Sequence, residues 1–386
     1  ICKLAECFRF LDLFAEGVRS LTCLLGKRLS IDAMTFFNGQ KPKSRFGGWA
    51  ITLLLLASIA SLAALPSGYV IERPGQVFNV MGDVDGQKVI TAGNVRTYES
   101  DTQLDITTVS LLGNRESNPG WLQVLWAWFD PTQVVLPLDQ VYPPNLSTEE
   151  VRAESSAQME VSQQDAIAAA LKHLGYEFSR ELYVASVIAD TPASKRLVAA
   201  DFVLAVNGFG VETFEALRSR IQDSNGEEIL ITVSRDGQTQ EIPITPVLKD
   251  DAFVIGAMIG YTYDFPLDIT LQLGDVGGPS GGLIFSLGII DALTPGSLAD
   301  STHIAGTGTI SAEGAVGPIG GIELKMIAAR NAGAELFLAP AGNCSEVIGQ
   351  IPDGLAVVIV DTLDSAINAI SDYQSGNAVP TISCEP

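Results

Sequence analysis

From residue 67 onward, hydrophobic positions first recur every second residue in short runs. Between residues 67 and 150, "YVIER", "KVITA", "LDITTVSLL" and "QVVLPL" read as strands, parted by turn clusters such as "NRESNPG". The period then lengthens. In "STEEVRAESSAQMEVSQQDAIAAALKHLG", Ser147 with Glu150 three positions on marks a helix start. Residues 151–176 are therefore predicted as a helical connector. Alternation returns over residues 177–248, a β-rich unit with strands "LYVASVI", "DFVLAVNG", "EILITVSR" and "QEIPITPV", one helix at 213–222, and a tight "DGQ" hairpin. From 250 to 373 strands and helices alternate. "FVIGAMIGYT", "DITLQL", "GTGTIS", "AELFLAP" and "LAVVIV" are strands; "SGGLIFSLGIIDAL", "IELKMIAARNAG" (closed by Gly333) and "TLDSAINAI" are helices. Residues 374–386 read as a tail.

One stretch fits neither period. "WAITLLLLASIASLAAL", residues 49–65, has no charge and ends at Pro66. Its length is near the short end for a bilayer span. Lys41, Lys43 and Arg45 precede it, so the expectation is a single transmembrane helix over 49–66 in the plasma membrane. It would hold residues 1–48 in the cytoplasm and everything after it outside. A cleaved signal peptide is the alternative. Residues 1–33 precede Met34 and have the look of an upstream reading-frame extension.

Charge narrows the partners. The net charge is -22, with +4 over residues 1–48 and so -26 over the rest. Such a surface repels nucleic-acid phosphates, which excludes a nucleic-acid role. If Cys2, Cys7 and Cys23 belong to the extension, only Cys344 and Cys384 remain, on the outer side where disulfides persist. The one pairing they allow is Cys344–Cys384; two buried free thiols are the alternative.

Two segments carry candidate chemistry. In "GDVGGPSGGL", Ser280 stands on a glycine-rich bend that opens a helix, where free N–H groups can hold an oxyanion. Gly278 and Gly281 supply that close backbone. A flexible glycine loop without function is the plain alternative. A serine hydroxyl needs a base. "GPSGG" also fits the G-x-S-x-G pattern, which calls for histidine, and the sequence has two: His173, on the helical connector, and His303, in a polar turn. Lys325 in "GPIGGIELKMIAA" is the stronger candidate. Free lysine titrates near pH ~10.4. Ile322, Leu324, Met326 and Ile327 surround it in sequence, and burial among them together with the positive end of its helix would lower that value. A lysine snorkelling from an amphipathic helix is the alternative.

Taken together, "GPSGG" and "GPIGGIELKMIAA" resemble the proteolytic domain of the Lon family, whose members use a Ser-Lys dyad. Ser280 and Lys325 fall on the two catalytic positions, and "AGTGTI" places Thr307 as a helper hydroxyl. Gly277 stands where the family usually has an aspartate, so Asp275 is given no catalytic role, and Glu323 is read as surface. Lon proteins carry an ATPase module; this sequence has no G-x-x-x-x-G-K-[ST] loop. The 177–248 unit, with "TPASK" and "ADFVLAVNG", resembles a PDZ domain, although Ala200 replaces a usual glycine. That likeness implies peptide addition beside residues 182–188 against the 213–222 helix, through Leu182, Tyr183, Val184, Phe214 and Leu217. "TTVSLL", "YPP" and "SQQDAIAAALKHLGY" are similar to the membrane-anchored, PDZ-containing Lon-like proteases of bacteria.

The expected fold class is α+β: a single N-terminal transmembrane helix, a PDZ-like β-rich domain and a C-terminal α/β Lon-type proteolytic domain. The implied function is an ATP-independent serine endopeptidase acting on flexible or unfolded polypeptides outside the cytoplasm. No cofactor or metal is expected, and the family resemblance implies a homo-oligomer. A catalytically inactive PDZ scaffold and a histidine-based serine esterase are the alternatives.

Overall fold

The computed structural model describes residues 45–84, 86–274 and 276–377. Residues 1–44, with Cys2, Cys7 and Cys23, lie outside it, as do Asp275 and residues 378–386 with Cys384. In chain order the main elements begin with α1 (Arg45–Ala64), β1 (Tyr69–Asn79), β2 (Gln103–Leu112), α2 (Trp121–Phe129), β3 (Val134–Pro137) and α3 (Thr148–His173). Then come β4 (Ser179–Val187), β5 (Phe202–Val206), α4 (Phe214–Asp223), β6 (Ile229–Arg235), β7 (Gln238–Ile244) and β8 (Ala257–Asp264). The chain continues with α5 (Gly282–Leu293), β9 (His303–Gly306), α6 (Ile322–Ala332), β10 (Leu336–Pro340), β11 (Ala356–Val360) and α7 (Leu363–Gln374).

Within the apolar run at 49–66, residues 49–64 lie in α1. Among the described residues no helix is long and apolar enough to cross a membrane, so the expected span gains no support from the structure. The side chains at 45–48, 50, 59 and 62–64 are outside the description. The unit that carries the site begins at Ser61.

Within that unit the first sheet corrects the expected domain limits. Its order is β11-β10-β9-β2-β1-β3. β1 pairs antiparallel with β2 and β3, whereas β9 runs parallel to both β2 and β10. The strands of 67–150 are therefore no separate domain: they complete the sheet whose other half comes from 303–360. One core unites them, with Leu104 and Ile106 from β2, Ala166 and Leu171 from α3, and Leu283 and Leu287 from α5. α5 is buried on every side from Gly282 to Ala292, which is why its sequence is apolar without a polar stripe.

The second sheet, β7-β6-β5-β4-β8, is inserted into this chain path. The "DGQ" hairpin joins β6 to β7 through Asp236 and Gly237, both at positive φ, as a tight turn requires. Ala200 sits at φ 68, a left-handed conformation that glycine adopts more readily, which gives a physical reason for the glycine usual there. The expected boundary at 248–250 shifts: β8, expected within the proteolytic part, pairs along its length with β4. Alternation marks a strand as half-buried; it does not name the neighbour, and here the neighbour lies on the far side of the presumed border.

α3 joins the two sheets. Ser147 and Glu150 form the predicted capping box at its start. Val161 lies against Gly260 of β8, and Ser286 of α5 donates to the Ala166 carbonyl at 3.0 Å.

Candidate active site

Ser280 lies on the bend before α5, and the bend is held from two sides. The Gly278 amide donates to the Ser155 carbonyl of α3 at 2.9 Å, and Ser162 Oγ donates to the Pro279 carbonyl at 2.9 Å. Gly278 adopts φ 88, a conformation open to glycine. On the far side, the Ser280 carbonyl accepts from the Gly308 amide at 2.8 Å and from Thr307 Oγ1 at 3.0 Å. At the start of α5 the Leu283 amide donates to the Gly308 carbonyl. Among the described residues, the Gly281 and Gly282 amides have no acceptor. They are the donors available to an oxyanion next to Ser280; the expected Gly278 is not one of them, because its amide is spent on the Ser155 carbonyl.

Lys325 enters from α6. Gly321 caps that helix at φ 69, and an added Cβ there would come within 2.8 Å of a Val109 methyl group. The helix start is thus drawn close to β2. Lys325 is 3% exposed, between Leu324 and Met326, and its Nζ donates to Thr307 Oγ1 at 3.1 Å. Burial pushes its pKa down to about 8, while the Glu72 carboxylate on β1 opposes the shift. The Glu72 carboxyl is itself raised by burial, with Lys325 pulling the other way.

Thr307 is fully buried and links the two segments, taking a hydrogen bond from Lys325 and giving one to the Ser280 backbone. Ser280 Oγ and Lys325 Nζ share no hydrogen bond in this arrangement. Lys325 would have to leave Thr307 Oγ1 to take the serine proton, a tightening that substrate binding often brings. Thr307→Val would leave the Nζ donor buried without its acceptor. The expected cost is about 1–3 kcal/mol of stability, checked by denaturant unfolding, together with slower hydrolysis.

Nothing in "YVIER" marks Glu72, and Lys325 lies far along the chain, so the sequence does not reveal their proximity. Since Glu72 raises the lysine pKa, Glu72→Gln should lower it further. The acid limb of the pH–rate profile then moves to lower pH, with the plateau little changed.

The other expectations fare differently. His303 lies on β9 four residues before Thr307, roughly 13 Å along a strand. Its Nε2 is 2.5 Å from Asp105 Oδ2 and 3.0 Å from Gln103 Nε2, so the ring faces a buried carboxylate. His173 is bonded to Asp364 at 2.9 Å. Neither ring is hydrogen-bonded to Ser280. The expected peptide edge at 182–188 is corrected: β4 is an interior strand, paired with β8 along its length and with β5 at Tyr183 and Phe202. Leu182, Val184 and Leu217 are core residues, closed to a ligand; Tyr183 is half-buried and Phe214 is exposed. β8 is the edge strand on that side of the sheet, and its Tyr261 hydroxyl accepts from the Phe214 amide at 2.7 Å. Cys344 is disulfide-bonded; Cys384, its expected partner, lies outside the described residues. Among the described residues no cluster of His, Cys, Asp and Glu could hold a metal ion.

Residues 273–371 match the Lon protease (S16) C-terminal proteolytic domain. The Lon protease of Campylobacter concisus is 33% identical over 131 residues, 33% of this chain and 16% of that protein. Lon protease 2 of Bacillus subtilis is 34% identical over 108 residues, 28% of this chain and 19% of that one. The chain thus spans less than a fifth of these relatives. Among solved structures, the PDZ domain of the SdrC-like protein of Listeria innocua is similar at 23% identity and TM-score 0.20, over 20% of this chain and 92% of that one. A Geobacillus thermodenitrificans solution structure is similar at 27% identity and TM-score 0.18, over 19% and 84%.

These matches support a Lon-like protease, and the S16 domain supports a serine peptidase. Ser280, Thr307 and Lys325 all fall inside the matched segment.

Proposed function

We propose that the chain is a serine endopeptidase in which Lys325 activates Ser280. The observation that carries this reading is an amine 3% exposed, pushed down to about 8, and linked through Thr307 to the nucleophile's backbone. Neutral Lys325 Nζ takes the Ser280 Oγ proton as Oγ attacks a peptide carbonyl. The Gly281 and Gly282 amides hold the oxyanion. Collapse breaks the C–N bond, and the lysine proton passes to the departing amine. Water then adds to the acyl ester, giving its proton to Nζ, and Ser280 leaves protonated.

Further parts of the proposal rest on the sequence. ATP independence rests on the lack of a G-x-x-x-x-G-K-[ST] loop in these 386 residues. Flexible or unfolded polypeptides then suit as substrates. Anchorage to the plasma membrane, with the site outside the cytoplasm, rests on the uncharged run 49–65 and its preceding cations. Peptide capture by the PDZ-like sheet moves to the β8 edge beside Phe214. A homo-oligomer is carried over as a proposal.

The missing Ser280–Lys325 hydrogen bond favours a second reading, an inactive scaffold. Casein hydrolysis by the full chain, with and without ATP and beside Ser280→Ala, separates the two. Turnover unaffected by ATP and absent from the variant supports the peptidase. Equal signals from both proteins support the scaffold.

A further inference from the structure

The helix α2, "WLQVLWAWF", inverts the usual pattern of a surface helix. Val124 and Ala127 face the protein, where they pack with Ile71. The opposite face should be polar. Instead Leu125, Trp126 and Phe129 are 46%, 74% and 78% exposed. The helix has one polar side chain, Gln123, and its Oε1 is engaged by the Gly120 amide at 3.0 Å. The helix carries no charge.

Its surroundings point to what covers it. The start of α2 is tied to the chain just after α1: Pro66 and Gly120 form a β-bridge, and the Ser67 amide donates to the Pro119 carbonyl at 3.2 Å. In sequence Pro66 and Ser67 directly follow the uncharged run, and Leu65 is itself 55% exposed. Tyr69 meets Trp121 and Trp128 edge to face, with centroids 5.8 and 6.3 Å apart. Trp, Tyr, Phe and Leu together make the chemistry of a membrane–water boundary.

A shallow cleft of about 350 Å³ adjoins the exposed face, lined by Trp126, Phe129, Asp130, Pro131 and Gln133. Hydrogen bonds from Thr132 and Gln133 hold the Asp130 carboxyl below its ordinary range, so it stays anionic. Aromatic faces beside a carboxylate suit an ammonium or trimethylammonium headgroup. The acidic surface would repel anionic lipid.

We infer that α2 is an interfacial docking element: Trp126 and Phe129 enter the headgroup boundary of a zwitterionic lipid surface, and Asp130 faces its cationic headgroups. This inference is independent of the peptidase reading.

The chain provides its own probe. It has four tryptophans, and all but Trp49 lie on α2. The test uses full-length Trp49→Phe with phosphatidylcholine vesicles brominated at shallow or deep acyl positions. Expected are a blue shift and stronger quenching by the shallow bromines. Adding Trp126→Ser and Phe129→Ser should weaken vesicle-dependent quenching strongly, consistent with about tenfold in partitioning per buried aromatic. Hydrolysis of a soluble peptide should not change. Phosphatidylglycerol vesicles should quench less. No quenching, or quenching unaffected by the double substitution, would overturn the assignment. So would a blue shift that follows protein concentration without lipid, which would make the face a contact between copies. Equal quenching by phosphatidylglycerol would overturn the headgroup preference.

Discussion

Ser280→Ala should remove peptide hydrolysis by about four to six orders of magnitude, the scale set by loss of a covalent nucleophile. The fold should survive. Ser280 is half-buried and its Oγ makes no hydrogen bond within the described protein. Its structural contribution runs through its carbonyl, which accepts from Gly308 and Thr307, and alanine keeps that carbonyl. Unfolding in urea alongside single-turnover hydrolysis measures both. A variant that keeps its fold and a substantial fraction of its rate would show that another group performs the attack.

Lys325→Ala should cost nearly as much, because a nucleophile and its base act as a unit. The lysine also dictates how the rate depends on pH. Only the neutral amine accepts a proton, and burial places the change of state near 8. The rate should therefore rise with pH through about 8 and level off above it, not climb toward the value of a free lysine. Lys325→Arg should not rescue, since a guanidinium stays protonated throughout this range. The alanine variant also leaves a hole beside Thr307, since the lysine side chain is buried there. Lys325→Met fills that space and separates lost chemistry from lost packing; it should be equally inactive and more stable than Lys325→Ala. A rise that survives Lys325→Met would assign the limb to a different group.

The sequence revealed the local parts of this picture well. The α3 capping box, the hairpin at Asp236–Gly237 and the glycine that closes α6 are near-neighbour features, and each appears where its residues predicted. Thr307 and Lys325, from two separate motifs, share a hydrogen bond. What the sequence hid is non-local. β1, β2 and β3 share a sheet with β9, β10 and β11 across the inserted second sheet, and no alternation pattern encodes that partnership. β8 pairs with β4 across the expected border for the same reason. Leu182 and Val184 looked available because an edge strand and an interior strand read alike; the structure buries both behind β8. Glu72 shows the limit most clearly. Its influence on Lys325 arises only once β1 and α6 pack on one another.

The central claim is that Lys325 makes Ser280 nucleophilic. The most direct measurement is labelling of the intact chain with a serine-directed fluorophosphonate probe, followed by peptide mass spectrometry. The predicted result is one adduct, on Ser280, formed faster as pH rises through about 8 and absent from Lys325→Met. Labelling of Ser280 at the same rate in that variant, or an adduct on a different residue, would contradict it.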